Sequence, residues 1–260
     1  MESFVVDLKH QKVVVRALTG HDEWELHGGP GAGRELIERL LESANSNDEA
    51  AALELTAGER DRLLAALWQH YFGDTIMATR RCVDCGEFFD LNFSLSALVD
   101  SLDATPQPEE VVSLTPEGHA QLITGHTIRP ATAEDENAIE RLDLDEAEIA
   151  LTRRCVSGGA PPPGEVLDKV LDWLDPVIDI DLDGVCPECG TAQTIRFSIE
   201  HYLTISLQRE RNTLLREVHL LASAYSWPLQ DILELERLER QALCAFVNAG
   251  HGTAPGEVWS

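Results

Sequence analysis

Apolar residues at Leu63, Leu64, Leu67, Trp68 and Tyr71 recur every three or four positions, which predicts one face of a helix. Thr56 and Glu59 stand just ahead with the spacing of a capping box. Val166, Leu167, Val170, Leu171 and Leu174 repeat that pattern after a turn-rich stretch from Ser157 to Gly164. The period then changes to two. Ile178, Ile180 and Leu182 alternate with Asp179, Asp181 and Asp183, as in a half-buried strand. Phe89, Leu91 and Phe93 alternate in the same way, as do Gln193, Ile195 and Phe197. From about Ser198 the helical period returns. Leu207, Leu214, Val218, Leu221 and Tyr225 fall on one face, and Ser226-Trp227-Pro228 breaks the run. Ile232, Leu235, Leu238, Ala242 and Phe246 mark a second amphipathic helix. Residues 27–33, 44–49 and 104–110 read as loops, and 251–260 as a flexible tail.

Superposed on this pattern is an internal echo. Cys82-Val-Asp-Cys85-Gly86 followed by Phe93-Ser94 matches Cys186-Pro-Glu-Cys189-Gly190 followed by Phe197-Ser198, every position offset by 104. A weaker echo lies upstream. Arg16, Thr19, Asp22 and Glu23 resemble Arg129, Thr132, Asp135 and Glu136, offset by 113. Each threonine suits a helix N-cap with an acid in the first turn, and each follows a β-prone stretch. Two unrelated strand-to-helix transitions with good caps would look alike, but the paired Cys-x-x-Cys turns favour duplication.

The fold class expected is therefore α+β. A duplicated strand-helix-knuckle module would be joined by a shared four-cysteine zinc ribbon and followed by a C-terminal helical segment. The corresponding domains are 1–104 and 105–200, each with a knuckle, then helices over 201–250.

The cysteine spacing carries the most specific chemistry. Zinc takes four thiolates in a tetrahedron, and a two-residue spacer lets both sulfurs of one turn face the same ion. A glycine directly after the second cysteine suits a backbone that turns back with its amides aimed at sulfur. Cys82, Cys85, Cys186 and Cys189 are thus expected to hold one structural Zn2+. A redox Cys-x-x-Cys normally opens a helix, whereas these open strands. Two separate zinc sites would need further ligands near each knuckle. Cys155 and Cys244 sit on apolar helical faces and read as core residues.

Charge narrows the partners. The formal net charge is −26, and such a surface repels nucleic acid and anionic membranes. Basic protein partners remain compatible with it. The first residues, Met1 to Gln11, mix Glu2, Asp7 and Lys9 among apolar residues, unlike a signal peptide, and no run is long enough to span a bilayer. A cytoplasmic location is expected, where thiols stay reduced.

Catalytic patterns are sparse. His27-Gly-Gly-Pro-Gly-Ala-Gly lacks the Gly-Lys-Ser/Thr ending of a phosphate loop, and no Gly-x-Ser-x-Gly accompanies it. His70 and His219 read as helix-boundary and helix-surface residues. The expectation is a protein that is not an enzyme. The rival is a zinc-ribbon enzyme with its active site between the knuckles.

The stretch from Leu214 through Tyr225 and Trp227 to Leu235, Phe72-Gly-Asp74 and the paired Cys-x-x-Cys-Gly turns together resemble the baseplate-hub assembly chaperones of contractile-tailed phages and phage-tail-like injection systems. The resemblance covers about the last 50 residues best. It implies a binding protein that helps assemble a baseplate or stays attached to one, and it brings no catalytic residues. Leu214, Val218, Leu221, Tyr225 and Trp227 would then meet a protein partner, unless this stripe packs on the zinc-stapled body.

Overall fold

The computed structural model describes residues 3–9, 11–29, 31–42 and 53–251. The loop expected at 44–49 and the tail beyond His251 lie outside them. The chain is mixed α/β and divides into two compact units. One gathers Met1–Val5, Val14–Ser46 and Tyr202–Ser260, the other Val6–Val13 and Asn47–His201. The units do not follow chain order: residues 14–46 stand with the C-terminal helices rather than with the first knuckle. The paired strands β1 (Ser3–Asp7) and β2 (Lys12–Arg16) are divided between them.

The first unit is helical. It contains α1 (Gly20–Glu25), α2 (Ala32–Glu42), most of α8 (Ile199–Arg209), then α9 (Arg211–Tyr225), α10 (Leu229–Glu234) and α11 (Arg237–His251). Leu221, Ile232, Cys244 and Val247 form one of its apolar clusters. Gly20 is required where α1 meets α10, because a Cβ there would stand 2.9 Å from the Leu233 Cα.

Two breaks depart from the continuous helices read from sequence. Glu210 separates α8 from α9, and its carboxylate pairs with Arg237. Leu235 and Glu236 separate α10 from α11, because this backbone binds elsewhere. Leu235 O accepts from Gly20 N at 3.2 Å, Arg237 N donates to Leu18 O at 2.8 Å, and Glu236 bridges Thr19. The break resets the helical phase. The α11 face turned inward carries Arg237, Arg240, Cys244 and Val247, so Leu238 and Phe246, expected on one helix face with Ile232, face out.

The second unit holds α3 (Ala57–Phe72), β3 (Thr75–Arg81), β4 (Phe88–Ser94) and α4 (Leu95–Asp103). The sheet β5-β6-β7-β8 follows, made of Val111–Leu114, Ala120–Leu122, Thr127–Ile128 and Val156–Ser157. It packs Val111, Ala120, Leu122 and Ile128 on Val170 of α7 (Gly164–Leu174). Helices α5 (Ala133–Ile139) and α6 (Leu144–Cys155) lie between β7 and β8 in sequence, and β9 (Asp179–Val185) with β10 (Ala192–Ser198) completes the unit.

Each unit contains the same helix-start arrangement. Arg16 forks onto Asp22 at 2.6 and 2.8 Å and also donates to Ala17 O, while Asp22 accepts from the backbone and hydroxyl of Thr19. Arg129 forks onto Asp135 at 2.6 and 3.1 Å and donates to Pro130 O, while Asp135 accepts from the same two groups of Thr132. The segment facing each start is also alike. Leu235 O receives Gly20 N and the Arg240 guanidinium; Leu55 O receives Ala133 N and the Arg60 guanidinium. Arg240 pairs with Glu23, and Arg60 with Glu136, both at 2.6 Å. Leu53-Glu54-Leu55-x-x-x-Glu59-Arg60 and Leu233-Glu234-Leu235-x-x-x-Glu239-Arg240 are identical at five positions at an offset of 180, a signal legible in the sequence.

Candidate metal centre

Each Cys-x-x-Cys lies in the turn of an antiparallel hairpin. In the first, Thr75↔Ser94 runs in register to Arg81↔Phe88, and in the second Asp179↔Ser198 runs to Val185↔Ala192, every pair shifted by 104. The turns close identically. Cys82 N donates to Glu87 O and Gly86 N to Cys82 O; Cys186 N donates to Thr191 O and Gly190 N to Cys186 O. Gly86 and Gly190 have φ of 77° and 75°, a backbone region that side chains with a Cβ rarely adopt. The amides thus curl around the sulfurs because glycine permits the turn.

The two hairpins meet through their inner faces. Cys82, Phe89, Cys186 and Ile195 form one buried cluster with Leu91 beside it. Gln193 Oε1 accepts from Val83 N at 3.2 Å, and Thr191 Oγ1 donates to Asp84 Oδ2 at 3.1 Å, so each knuckle is tied to the other hairpin by polar contacts as well. Sequence reasoning did not find these contacts, since they link positions about 110 apart.

All four sulfurs lie within 4.8 Å of one another. Cys82 Sγ and Cys189 Sγ are 3.6 Å apart, Cys85 Sγ and Cys186 Sγ 3.8 Å. Those separations are far beyond an S–S bond of about 2.05 Å, and the cysteines are free thiols. A tetrahedral zinc with sulfurs about 2.3 Å away would space them roughly 3.8 Å apart, which matches. Among the described residues, this is the group of ligand-type side chains placed to hold an ion.

The electrostatics of the bare sulfurs also ask for a cation. Hydrogen bonding to Thr191 holds Cys189 down to about 6. At Cys85 the Glu87 amide favours the thiolate, but desolvation and the sulfurs of Cys189, Cys82 and Cys186 outweigh it and push the thiol up to about 12. Four negative sulfurs this close repel unless a positive ion sits among them. A set of four cysteine thiolates then fills the tetrahedron and leaves no position for water, the mark of a structural site.

The remaining candidate residues are placed as follows. Cys155 and Cys244 are buried, Cys244 against Leu221, Ile232 and Val247. Leu214 and Leu221 are buried inside the first unit, Val218 is half-buried, and Tyr225 and Trp227 are exposed and stacked on each other at 4.9 Å. The second unit also has a cavity of about 230 Å³ lined by Lys9, Arg62, His119, Arg129, Leu174 and Asp175 among others. Several of its charged groups are engaged nearby: Lys9 with Leu174 O, Arg62 with Pro176 O, Arg129 with Asp135, Asp175 with Thr56 and Gly58 N. No described helix is long and apolar enough to cross a membrane. Comparison of the chain with protein-family models, curated proteins and solved structures finds no match.

Proposed function

We propose that this chain is a zinc-stapled scaffold that works by binding other proteins, in the assembly or structure of a contractile-tail baseplate. The observation that carries the scaffold reading is the cluster of Cys82, Cys85, Cys186 and Cys189, whose sulfurs lie within 4.8 Å of one another; an ion bound by all four would keep no open coordination position. Zinc is the ion proposed, since four thiolates on two knuckles are its preferred set. The ion ties hairpins about 100 residues apart, and ties of that reach act on folding rather than on a substrate.

A duplication accounts for the rest of the architecture. Two hairpins in constant register at an offset of 104, and two helix starts with the same Arg–Asp fork, are what a repeated module would leave. The baseplate setting rests on the resemblance of the segment from Leu214 to Leu235. Tyr225 and Trp227, with Leu215 and Leu229, are the large apolar side chains that segment exposes to a partner, whereas Leu214 and Leu221 are buried among the helices.

The test is capture of the full-length tagged chain from its native host at endogenous expression, with mass spectrometry of what it retains. Hub or baseplate proteins enriched over a tag-only control are the expected result. A chain that retains none of them, or that turns over a small substrate in zinc-replete form, overturns the reading.

A further inference from the structure

We infer that the outer face of α11, around Leu238 and Phe246, is a docking surface for a basic amphipathic helix of another protein. This names the partner's chemistry for the binding reading above and rests on it.

The helix is apolar on two sides. Its inner side, with Cys244 and Val247, packs in the first unit's core. Its outer side carries Leu238, Ala242, Ala245, Phe246 and Ala249, spaced at i, i+4, i+7, i+8 and i+11, the period of a single helix face. All five are exposed, Phe246 by 70% and Leu238 by 46%. A helix apolar on both sides belongs in an interior. No charged residue occurs from Gln241 to Ala249, in a chain where a quarter of the residues are charged. A merely solvated face would carry some of that charge.

Charge selects the occupant. Between Tyr225 and Ala249 the cations are Arg237 and Arg240, and both are buried on Glu23, Glu210 and Glu217. The exposed charges there are Asp231, Glu234 and Glu239, all acidic. With Glu239 beside Leu238 and a net charge of −26 on the chain, this strip complements an apolar strip edged by lysine or arginine. A second copy of this chain and an anionic membrane are both disfavoured by the net charge of −26. The alanines let a partner helix approach closely, with Phe246 as the large anchor that such interfaces use.

The probe is a synthetic peptide of about 18 residues, five helical turns, with leucines on one face and lysines along both edges. Its binding to the zinc-loaded full-length chain is followed by fluorescence anisotropy. We expect binding that weakens with salt and falls at least about tenfold in Phe246→Asp. Leu238→Glu serves as the second variant, and circular dichroism and zinc content show that each variant is folded. Equal binding by a peptide of the same composition with its leucines scattered, equal binding by a glutamate-edged peptide, or no loss in either folded variant would overturn the proposal. So would binding only after removal of residues 252–260, self-association that depends on Phe246, or Phe246-dependent binding to phosphatidylglycerol vesicles. If Phe246→Asp still captures the same baseplate proteins from the host, this surface fails while the assembly reading stands. If the peptide discriminates as expected while the wild-type chain captures no baseplate protein, the assembly reading fails and the surface stands.

Discussion

Phe93 and Phe197 meet edge to face, with ring centroids 5.0 Å apart and planes at 88°. Each occupies the same place in its hairpin, one residue before the serine that ends the last strand and caps the following helix: Ala97 N donates to Ser94 Oγ, and His201 N to Ser198 Oγ. The contact lies at the far end of the strands from the four sulfurs. The hairpins therefore meet at two levels, in aromatic packing at the base and in the four-cysteine cluster at the tip. An edge-to-face pair contributes about 0.5–1.5 kcal/mol beyond its area, too little to hold two hairpins together alone.

The metal should therefore dominate. Cys186, buried in the inter-hairpin cluster, is the informative position. Cys186→Ser is expected to drop zinc content from about one ion per chain to well below it, and to make both hairpins sensitive to protease together. Elemental analysis and X-ray absorption check the first part, with four sulfurs at about 2.3 Å expected in the wild type. Nitrogen ligands, two zincs per chain, or a variant whose first hairpin stays as protected as before would contradict the shared cage.

A second prediction concerns the buried charges of the first unit. Glu23 receives Arg237 and Arg240 at 2.6 Å each, and Arg240, fully buried, also binds Glu217 at 2.7 Å. Removing one member leaves buried charge without its counterpart, so Glu23→Ala should cost about 3–5 kcal/mol. The corresponding pair of the second unit, Arg60 with Glu136, is more open, with the Glu136 side chain 31% exposed. Glu136→Ala should cost less than about 2 kcal/mol, because water can solvate the arginine left behind. Denaturant unfolding of the two variants measures the difference. Equal losses would mean that burial does not set the cost here.

The knuckles, their hairpins and the start of each capped helix were legible in the sequence because they are local. Spacers of two residues, alternating strands and Thr-x-x-Asp turns fix their geometry without help from afar. The outward turn of Phe246 was not. It follows from the break at Leu235 and Glu236, which exists because that backbone bonds to Leu18, Thr19 and Gly20 over 200 positions away. Periodicity counted through the break places Phe246 with Ile232, one phase too far. The pairing of residues 16–23 with 234–240, and of 129–136 with 54–60, was half legible. The first halves echo at 113, but the second halves echo at 180, and only the pairing in space joins the two.

The last prediction is a dependence on pH. Asp61, on α3, accepts the Ile178 amide at 2.7 Å just before β9 begins, and burial pushes its carboxyl up to about 7. The Ile178 amide pulls the other way, Glu200 and Asp179 add to the rise, and Arg60 opposes it. A carboxyl that holds its proton more tightly when folded than when unfolded makes the folded state bind more protons between about pH 4 and 7. Its contribution is fully present below the unfolded value near 4 and is lost as pH rises through about 7. Asp61→Asn keeps an oxygen for the Ile178 amide and removes the charge. It should therefore stabilise the protein at both pH 5.5 and pH 8, and by about 1–3 kcal/mol more at pH 8, where the wild type must bury an ionised carboxylate. Urea unfolding at the two pH values, with zinc in excess so that the cage stays filled, gives the comparison. A variant no more stable than wild type at pH 8, or stabilised equally at both, would mean that Asp61 ionises at no cost in the fold.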